Sequence, residues 1–460
     1  MNGSPHPQPL SRLRAGGAQR VADATSPVTD RVDGFLRRHL PPGARLSVGY
    51  SGGLDSTVLL HCLAALRERH PFGLSACHVH HGLSPHADAW AEHCLRTGQA
   101  WSVPVEVHRV CVQSTGEGIE AAARAARYRV YAGLAVDAVA LAHHRDDQAE
   151  TVLLQLLRGG DLRALAAMPA ERPLAGKLLL RPLLDVARSE IEAYAHAHAL
   201  DWIEDESNKH TLHTRNALRH EVLPAIARHY PHVVADLAQA ASVFAETAQM
   251  LDVLATSDMA EAMDAEGLRV DRLAALPTAR ALNLLRLFII NAGGRVKRGA
   301  LIEALRQLLA ADAQSRVEIR FGTRILRRFR GHACLIQAAS TPRIDLLWRG
   351  ETRLELPGLG AMEIRPAVGE GVRLTPGDTR LGLRLGGERM QPAANRPSRA
   401  LKDWLREARV PPWRRDRLPL LYVGGRLAWA AELGVDVSHA VRPGETGWLI
   451  SWTWAQSAPH

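Results

Sequence analysis

Between residues 45 and 66 the hydrophobic pattern changes period within a few positions. Leu46, Val48 and Tyr50 alternate as in a strand, and after Ser51-Gly52-Gly53 the apolar residues Val58, Leu59, Cys62, Leu63 and Leu66 recur at helical spacing. The pattern then repeats. Residues 74–79 form a second short apolar run, 87–99 read as helix, and Val103, Val105 and Val107 alternate as a third strand. A helix is predicted over about 117–134, and Ala138-Val-Ala-Leu-Ala is a fourth strand leading into another helix. Strands separated by helix-length segments pair in parallel through right-handed crossovers. The region 41–220 is therefore expected to be a doubly wound α/β domain that binds ligands at the C-terminal ends of its strands.

Downstream the period changes again. Residues 221–340 carry helical stripes, with Leu282, Leu284, Leu285, Leu287 and Phe288 in one and Leu301, Leu305, Leu308 and Leu309 in another. Proline and glycine punctuate 341–379, read as a linker with short strands. Residues 380–455 hold six tryptophans and suggest a small α+β domain in which most of them are packed. Residues 1–40 are expected to form a disordered extension. Their Pro, Gly, Ser, Ala and Arg content lacks the apolar core of a signal peptide.

Composition narrows the class. A chain of 460 residues with 46% hydrophobic and 23% charged positions is expected to be globular, with several cores. The net charge of +9 suits a polyanionic partner, although arginine carries nearly all of it, since only four lysines occur. The five cysteines stand far apart, which argues against a zinc ribbon or an iron–sulfur cluster and fits a reducing cytoplasm. No stretch is apolar enough to suggest a membrane span.

The chemistry concentrates at strand ends. Ser51, Gly52, Gly53, Leu54, Asp55 and Ser56 lie between a strand and a helix N-terminus, where unpaired backbone N–H groups and the helix dipole favour an anion. The Lys of a Walker loop is missing. Asp55 would repel a polyphosphate unless a divalent cation lay between them, which suggests Mg²⁺. Asp146, Asp147 and Glu150 follow the fourth strand and should face the same crevice, where carboxylates hold a metal, act as bases or bind an ammonium group. His78, His80, His81, His143 and His144 also sit at strand ends. Adjacent strand residues point to opposite faces, so capping or ligand contact suits them better than one shared ion. Arg124 and Arg127 share a helix face fit for phosphate. Arg215 and Arg219, beside Asn216, are spaced to present two guanidiniums to a nucleic-acid backbone.

Ser51-Gly-Gly-Leu-Asp-Ser is similar to the pyrophosphate (PP) loop of the ATP-pyrophosphatase superfamily. A longer ordered set resembles the tRNA(Ile)-lysidine synthases. It comprises that loop, His78-Val-His-His-Gly-Leu-Ser, Ala123-Arg-Ala-Ala-Arg-Tyr, His143-His-Arg-Asp-Asp-Gln-Ala-Glu-Thr, Arg181-Pro-Leu-Leu, Arg215-Asn-Ala-Leu-Arg, Gly386-Gly-Glu-Arg, Val410-Pro-Pro-Trp and Leu418-Pro-Leu-Leu-Tyr. The likeness spans about residues 40–440. Ala125, His80, His210 and His213 depart from the family pattern.

The resemblance implies a cytoplasmic ligase that forms a carbon–nitrogen bond. ATP would adenylate O2 of the wobble cytidine in the CAU-anticodon isoleucine tRNA and release pyrophosphate. L-lysine would then displace AMP at C2, changing decoding from AUG to AUA and identity from Met to Ile. It implies Ser51–Ser56 around pyrophosphate, Asp55 on Mg²⁺, Arg124 on the phosphate or adenylate, Asp147 and Glu150 on the lysine, and Arg215, Asn216 and Arg219 on the tRNA. The later domains would grip the tRNA, and a homodimer is compatible with it. A PP-loop tRNA thiolase would need cysteines for sulfur transfer or a cluster. A non-tRNA adenylating ligase would leave the basic downstream regions without a role. A non-catalytic tRNA binder would not need an intact loop.

Overall fold

The structure, a computed structural model, describes residues 26–112, 118–204, 214–311, 317–338 and 344–454. The chain divides into two compact units, residues 1–250 and 251–460.

The first unit is built on a six-stranded sheet. Its strands are β1 (Arg45–Gly49), β2 (Gly73–His80), β3 (Val105–Arg109), β4 (Ala138–Ala140), β5 (Glu171–Leu174) and β6 (Lys177–Leu180). Their order is β3-β2-β1-β4-β6-β5. The β1–β2, β2–β3, β1–β4 and β4–β6 pairs are parallel, and β5 returns antiparallel on β6 as an edge hairpin. The chain runs outward from β1 to β3 and then comes back to place β4 on the other side of β1. The crevice between the ends of β1 and β4 is thus the topological switch point, where an open α/β sheet binds ligands.

Helices cover both faces. On one side α1 (Pro27–His39), α2 (Leu54–Leu66) and α7 (Arg188–Ala197) share a core that includes Val32, Leu36, Val58, Leu59, Leu63 and Ile191, all at or near full burial. On the other side Tyr131 of α4 (Ile119–Gly133) packs with Cys77, Val139, Leu141 and Leu179. The remaining helices of the unit that bear on the site are α3 (Ala87–Ala100), α5 (Arg145–Leu157), α6 (Leu162–Leu165) and α8 (Thr214–Ala217).

Two sequence expectations are corrected here. Residues 27–39 are not a disordered extension: Ser26 caps α1 by accepting from the Thr29 N–H at 3.1 Å, and Val28, Val32, Phe35 and Leu36 fall at helical spacing on a buried stripe. The expectation for residues 1–25 lies outside the described residues. Residues 344–379 are not a separate linker, and the expectation for 341–343 lies outside the described residues. Their strands Asp345–Trp348 and Gly360–Val368 pair with Thr379–Leu383 and Thr446–Trp454, and Trp348, Met362 and Ile364 are fully buried in the last domain's core.

In the second unit, helices Thr278–Asn291 and Arg298–Ala310 bury the leucine stripes, with Leu284, Leu285, Leu305 and Leu308 inside. The region read as helical also holds strands Glu318–Phe321, Arg324–Phe329 and His332–Gln337 in an antiparallel sheet. The last domain buries Trp348, Trp404 and Trp429. Among the described residues no helix is long and apolar enough to cross a membrane.

Candidate active site

The glycine loop joins β1 to α2 and is shaped by three sets of contacts. Gly52 has φ +83°, a conformation open to glycine and costly for other residues. A Cβ placed there would lie 2.5 Å from Ile203 Cδ1 and 3.1 Å from Cys94 Sγ. The Ile203 N–H donates to the Gly52 carbonyl at 2.9 Å, and Thr57 Oγ1 donates to the same oxygen at 3.3 Å. Ser51 Oγ and Ser56 Oγ are 3.0 Å apart, Ser51 Oγ accepts from the Gly53 N–H at 3.3 Å, and Ser56 Oγ donates to the Gly53 carbonyl at 3.0 Å. Gly53 is the N-cap of α2 and has no side chain to close the helix end, so the first turn keeps its anion-binding character.

Asp55, in that first turn, is bound by a residue the sequence analysis did not single out. Arg188 Nη1 donates to both carboxylate oxygens of Asp55, at 2.7 and 2.8 Å. The same arginine donates through Nε to Glu192 at 2.9 Å, and its backbone N–H donates to Asp146 at 2.9 Å. A sequence signal for Arg188 existed. It is the first residue of α7, where a cation opposes the helix dipole and so needs a carboxylate partner elsewhere.

The second cluster comes from the start of α5, directly after β4. Asp147 accepts from the His144 backbone N–H at 3.1 Å, capping the helix with its own third residue. The buried His144 ring lies between three carboxylates: Nε2 is 3.5 Å from Asp147 and 3.8 Å from Asp55, and Nδ1 is 3.6 Å from Asp146. Burial alone would lower the His144 pKa, but the three carboxylates outweigh it and raise it above the ordinary value. Burial conversely raises that of Asp55, and the neighbouring Asp147 adds to the effect, against the pull of His144 and Arg188. Asp147 goes the other way: its burial is outweighed by His144, His143, Arg219 and Arg215, which hold it below the usual carboxylate range.

Glu150, only 1% exposed, lies one turn further along α5. It accepts from Arg215 Nε at 3.1 Å and from Arg219 Nε at 2.5 Å, while Arg219 Nη2 reaches Asp147 at 2.9 Å. A π-helical turn, Leu218–Val222, follows α8 and carries Arg219. The two guanidiniums foreseen as tRNA contacts thus engage the two carboxylates foreseen as ligand contacts. Asn216 lies between them in α8. Arg124 is exposed on α4 and donates to Tyr128 OH at 3.2 Å, stacking on the ring at 5.0 Å from its centroid. His78 Nδ1 lies 3.0 Å from the Tyr50 carbonyl and 3.3 Å from Cys94 Sγ, a supporting role behind the loop. His210 and His213 lie outside the described residues. Among the described residues no group of three or more His, Cys, Asp or Glu side chains is arranged as a ready-made metal cage, so the five histidines do not form one.

The structure therefore gathers an anion-binding loop and a mixed cluster of carboxylates and cations at one sheet's switch point, with Arg124 exposed on α4. Comparison with known proteins gives this arrangement its family. A PP-loop domain matches residues 25–226, a TilS substrate binding domain residues 268–334, and a TilS substrate C-terminal domain residues 379–452. The tRNA(Ile)-lysidine synthase of Azoarcus sp. (strain BH72) is 42% identical over 91% of this chain and 93% of its own length. That of Chromobacterium violaceum is 45% identical over 88% and 94%, and that of Salmonella newport 40% identical over 91% and 98%. This chain belongs to the tRNA(Ile)-lysidine synthases. It is a ligase that forms a carbon–nitrogen bond, and its PP-loop domain uses ATP.

Two predictions follow from the site's geometry. Gly52→Ala should weaken ATP binding at least about tenfold while the thermal midpoint moves by only a few degrees, because the clash is local to the loop; calorimetric titration with ATP and thermal unfolding measure the two. His144, whose pKa is raised by folding, contributes stability that is fully present below its unfolded value near 6.5 and is lost as pH rises through the folded one. The stability gap between the parent and His144→Asn should accordingly be largest below pH 6.5 and shrink above it, in denaturant titrations across pH.

Proposed function

We propose that the first unit joins L-lysine to C2 of the wobble cytidine of the CAU-anticodon isoleucine tRNA, through a cytidine adenylated at O2. The observation that carries this reading is the pair of unlike sites at one switch point: a glycine loop with exposed helix N–H groups, and beside it the Asp147–Glu150 cluster.

On this reading the first step divides between the loop and Asp55. Ser51, Gly52, Gly53, Leu54 and Ser56 hold the pyrophosphate of ATP, the backbone N–H groups supplying donors and Gly52 the close approach. Asp55 and Asp147 are an oxygen pair suited to Mg²⁺, which typically takes one or two carboxylates and completes its shell with phosphate and water oxygens. Bound there, Mg²⁺ would offset the negative charge that develops on the departing pyrophosphate. Arg188 is the counter-ion that holds the Asp55 carboxylate through both of its oxygens. Arg124, on its exposed helix face, serves the phosphate that remains on the cytidine.

The second step needs an amine that is both bound and nucleophilic. Asp147 and Glu150 attract the lysine. Each carboxylate has about four lone-pair positions, so Arg215 and Arg219 leave room for an ammonium on the same oxygens. These arginines also temper the attraction, since a carboxylate already neutralised binds a second cation less tightly. That matters because the attacking amine must lose a proton before it displaces AMP. Arg215, Asn216 and Arg219, on a helix that follows the catalytic sheet, would in addition meet the tRNA. The TilS substrate binding and C-terminal regions would hold its body, which accords with the chain's net charge of +9.

Incubating the protein with an isoleucine tRNA transcript, ATP, Mg²⁺ and lysine should add one lysine residue to the wobble cytidine, seen by mass analysis of nuclease fragments. A transcript that stays unmodified while the same preparation binds ATP would overturn the reading. Asp55→Ala should abolish tRNA-dependent pyrophosphate release. Glu150→Gln should raise the KM for lysine by about tenfold or more while adenylation changes little; an unchanged lysine KM would remove Glu150 from the ammonium site.

A further inference from the structure

Around the hydroxyl of Tyr128 the fold gathers three arginines from three separate elements. Arg124 is one turn earlier on α4 and donates to Tyr128 OH at 3.2 Å. Arg172 comes from β5, the antiparallel edge hairpin, with its guanidinium 5.0 Å from the Tyr128 ring centroid. Arg181 follows β6 and is only 3% exposed. Its Nη1 donates to the Pro169 carbonyl at 2.6 Å and its Nε to His143 Nδ1 at 3.2 Å. Among the described residues no carboxylate is paired with any of the three.

This concentration of like charge is costly. Arg181 is buried, and Arg172 and Arg124 both act against its positive charge, with a phenol as the neighbour that favours it. Three arginines at the switch point are neutralised, by contrast: Arg188 by Asp55, and Arg215 and Arg219 by Asp147 and Glu150. His143 supplies no counter-charge, since an imidazole is either neutral or cationic; burial, with Arg181 and Arg124, lowers its pKa and keeps it from adding a further positive charge. Tyr128, held between the guanidiniums, fixes their spacing without cancelling any of them. Three planar donors gathered on one phenol, with no carboxylate paired to any of them among the described residues, match a phosphate group.

We propose that Arg124, Arg172 and Arg181, gathered round Tyr128 beside His143, form a phosphate-binding site of the catalytic domain in addition to the glycine loop. The inference rests on the functional reading above and assigns a role to two residues, Arg172 and Arg181, that this reading does not use. Two phosphates of the reaction have the required chemistry: the one that stays on the cytidine as the adenylate, and a backbone phosphate of the tRNA next to it. Both are phosphodiester-like monoanions, which the guanidiniums bind alike, and the experiment separates them.

Arg172 is the residue to change, because it lies on an edge strand and is only partly buried. The full-length Arg172→Ala and Arg172→Lys proteins are titrated with ATP and AMP by calorimetry, and with an anticodon stem–loop RNA at several salt concentrations. We expect Arg172→Ala to lose affinity about tenfold or more for one of these ligand classes, and Arg172→Lys to recover much of it. Loss confined to the nucleotides assigns the site to the adenylate phosphate. Loss confined to the RNA, with the salt slope reduced by about one, assigns it to the tRNA backbone. Affinity for both classes unchanged, or a lowered thermal midpoint alone, overturns the proposal and leaves Arg172 as packing for the Tyr128 ring. Tyr128→Phe, which keeps the ring and removes the hydroxyl, should weaken the same ligand by a smaller factor. The parent protein's lysine-adduct assay is read separately: absence of adduct refutes the functional reading, whereas the binding arms still report on the phosphate site.

Discussion

A carboxylate sealed from water must find a cation, and at this site that requirement organises everything else. Glu150 is almost fully buried, Asp147 nearly so, and Asp55 is held against a helix N-terminus. No one of them is stable as a charged group in isolation, since removing an ion from water costs several kcal/mol even after relaxation. The fold answers with cations drawn from elements distant in sequence: Arg188 at the start of α7, Arg215 and Arg219 after the sheet is complete, and His144 between the three aspartates. The network ties the glycine loop to α5 and to the helix that ends the domain. On the function proposed above, the same atoms that neutralise one another in this network would also meet the metal, the ammonium and the phosphate.

The parts of this arrangement that were legible in the sequence are those encoded within a few residues. The strand, glycine loop and helix around Ser51–Ser56 announce themselves through a change in hydrophobic period and two adjacent glycines. Asp147 and Glu150 follow a short apolar strand closely enough that their position at its end could be inferred. The doubly wound sheet follows from the alternation of strands and helices. What could not be read depends on which distant segments meet. Arg188 carries only a weak local signal, a cation at a helix start, and nothing in the sequence says that its partner is Asp55. Arg215 and Arg219 were correctly seen as a helical pair, but spacing says nothing about whether guanidiniums face outward or toward Glu150. The hairpin β5–β6 carries a proline, Pro173, and charges that hide its strand character, so Arg172 and its approach to Tyr128 had no local signature. Helix α1 was obscured by the Pro, Gly and Ser content of the residues before it.

The same distinction separates three groups among the described arginines. Those on exposed strands, such as Arg353 and Arg380, pair with neighbouring carboxylates across or along the sheet and contribute little, as surface ion pairs do. Those at the switch point balance buried acids. Those around Tyr128 balance nothing within the described protein. Net positive charge alone does not distinguish them; their partners do.

The contact between Ile203 and Gly52 carries a consequence for how the molecule comes into being. The loop that should hold the nucleotide lies near the beginning of the domain, yet the residue that fixes its shape is supplied only after the whole parallel sheet has been strung together. A nascent chain that has exposed the glycine loop but not the segment around Ile203 has the motif without the mould. The packing around the glycine loop is therefore complete only when the chain has run past the sheet as far as Ile203.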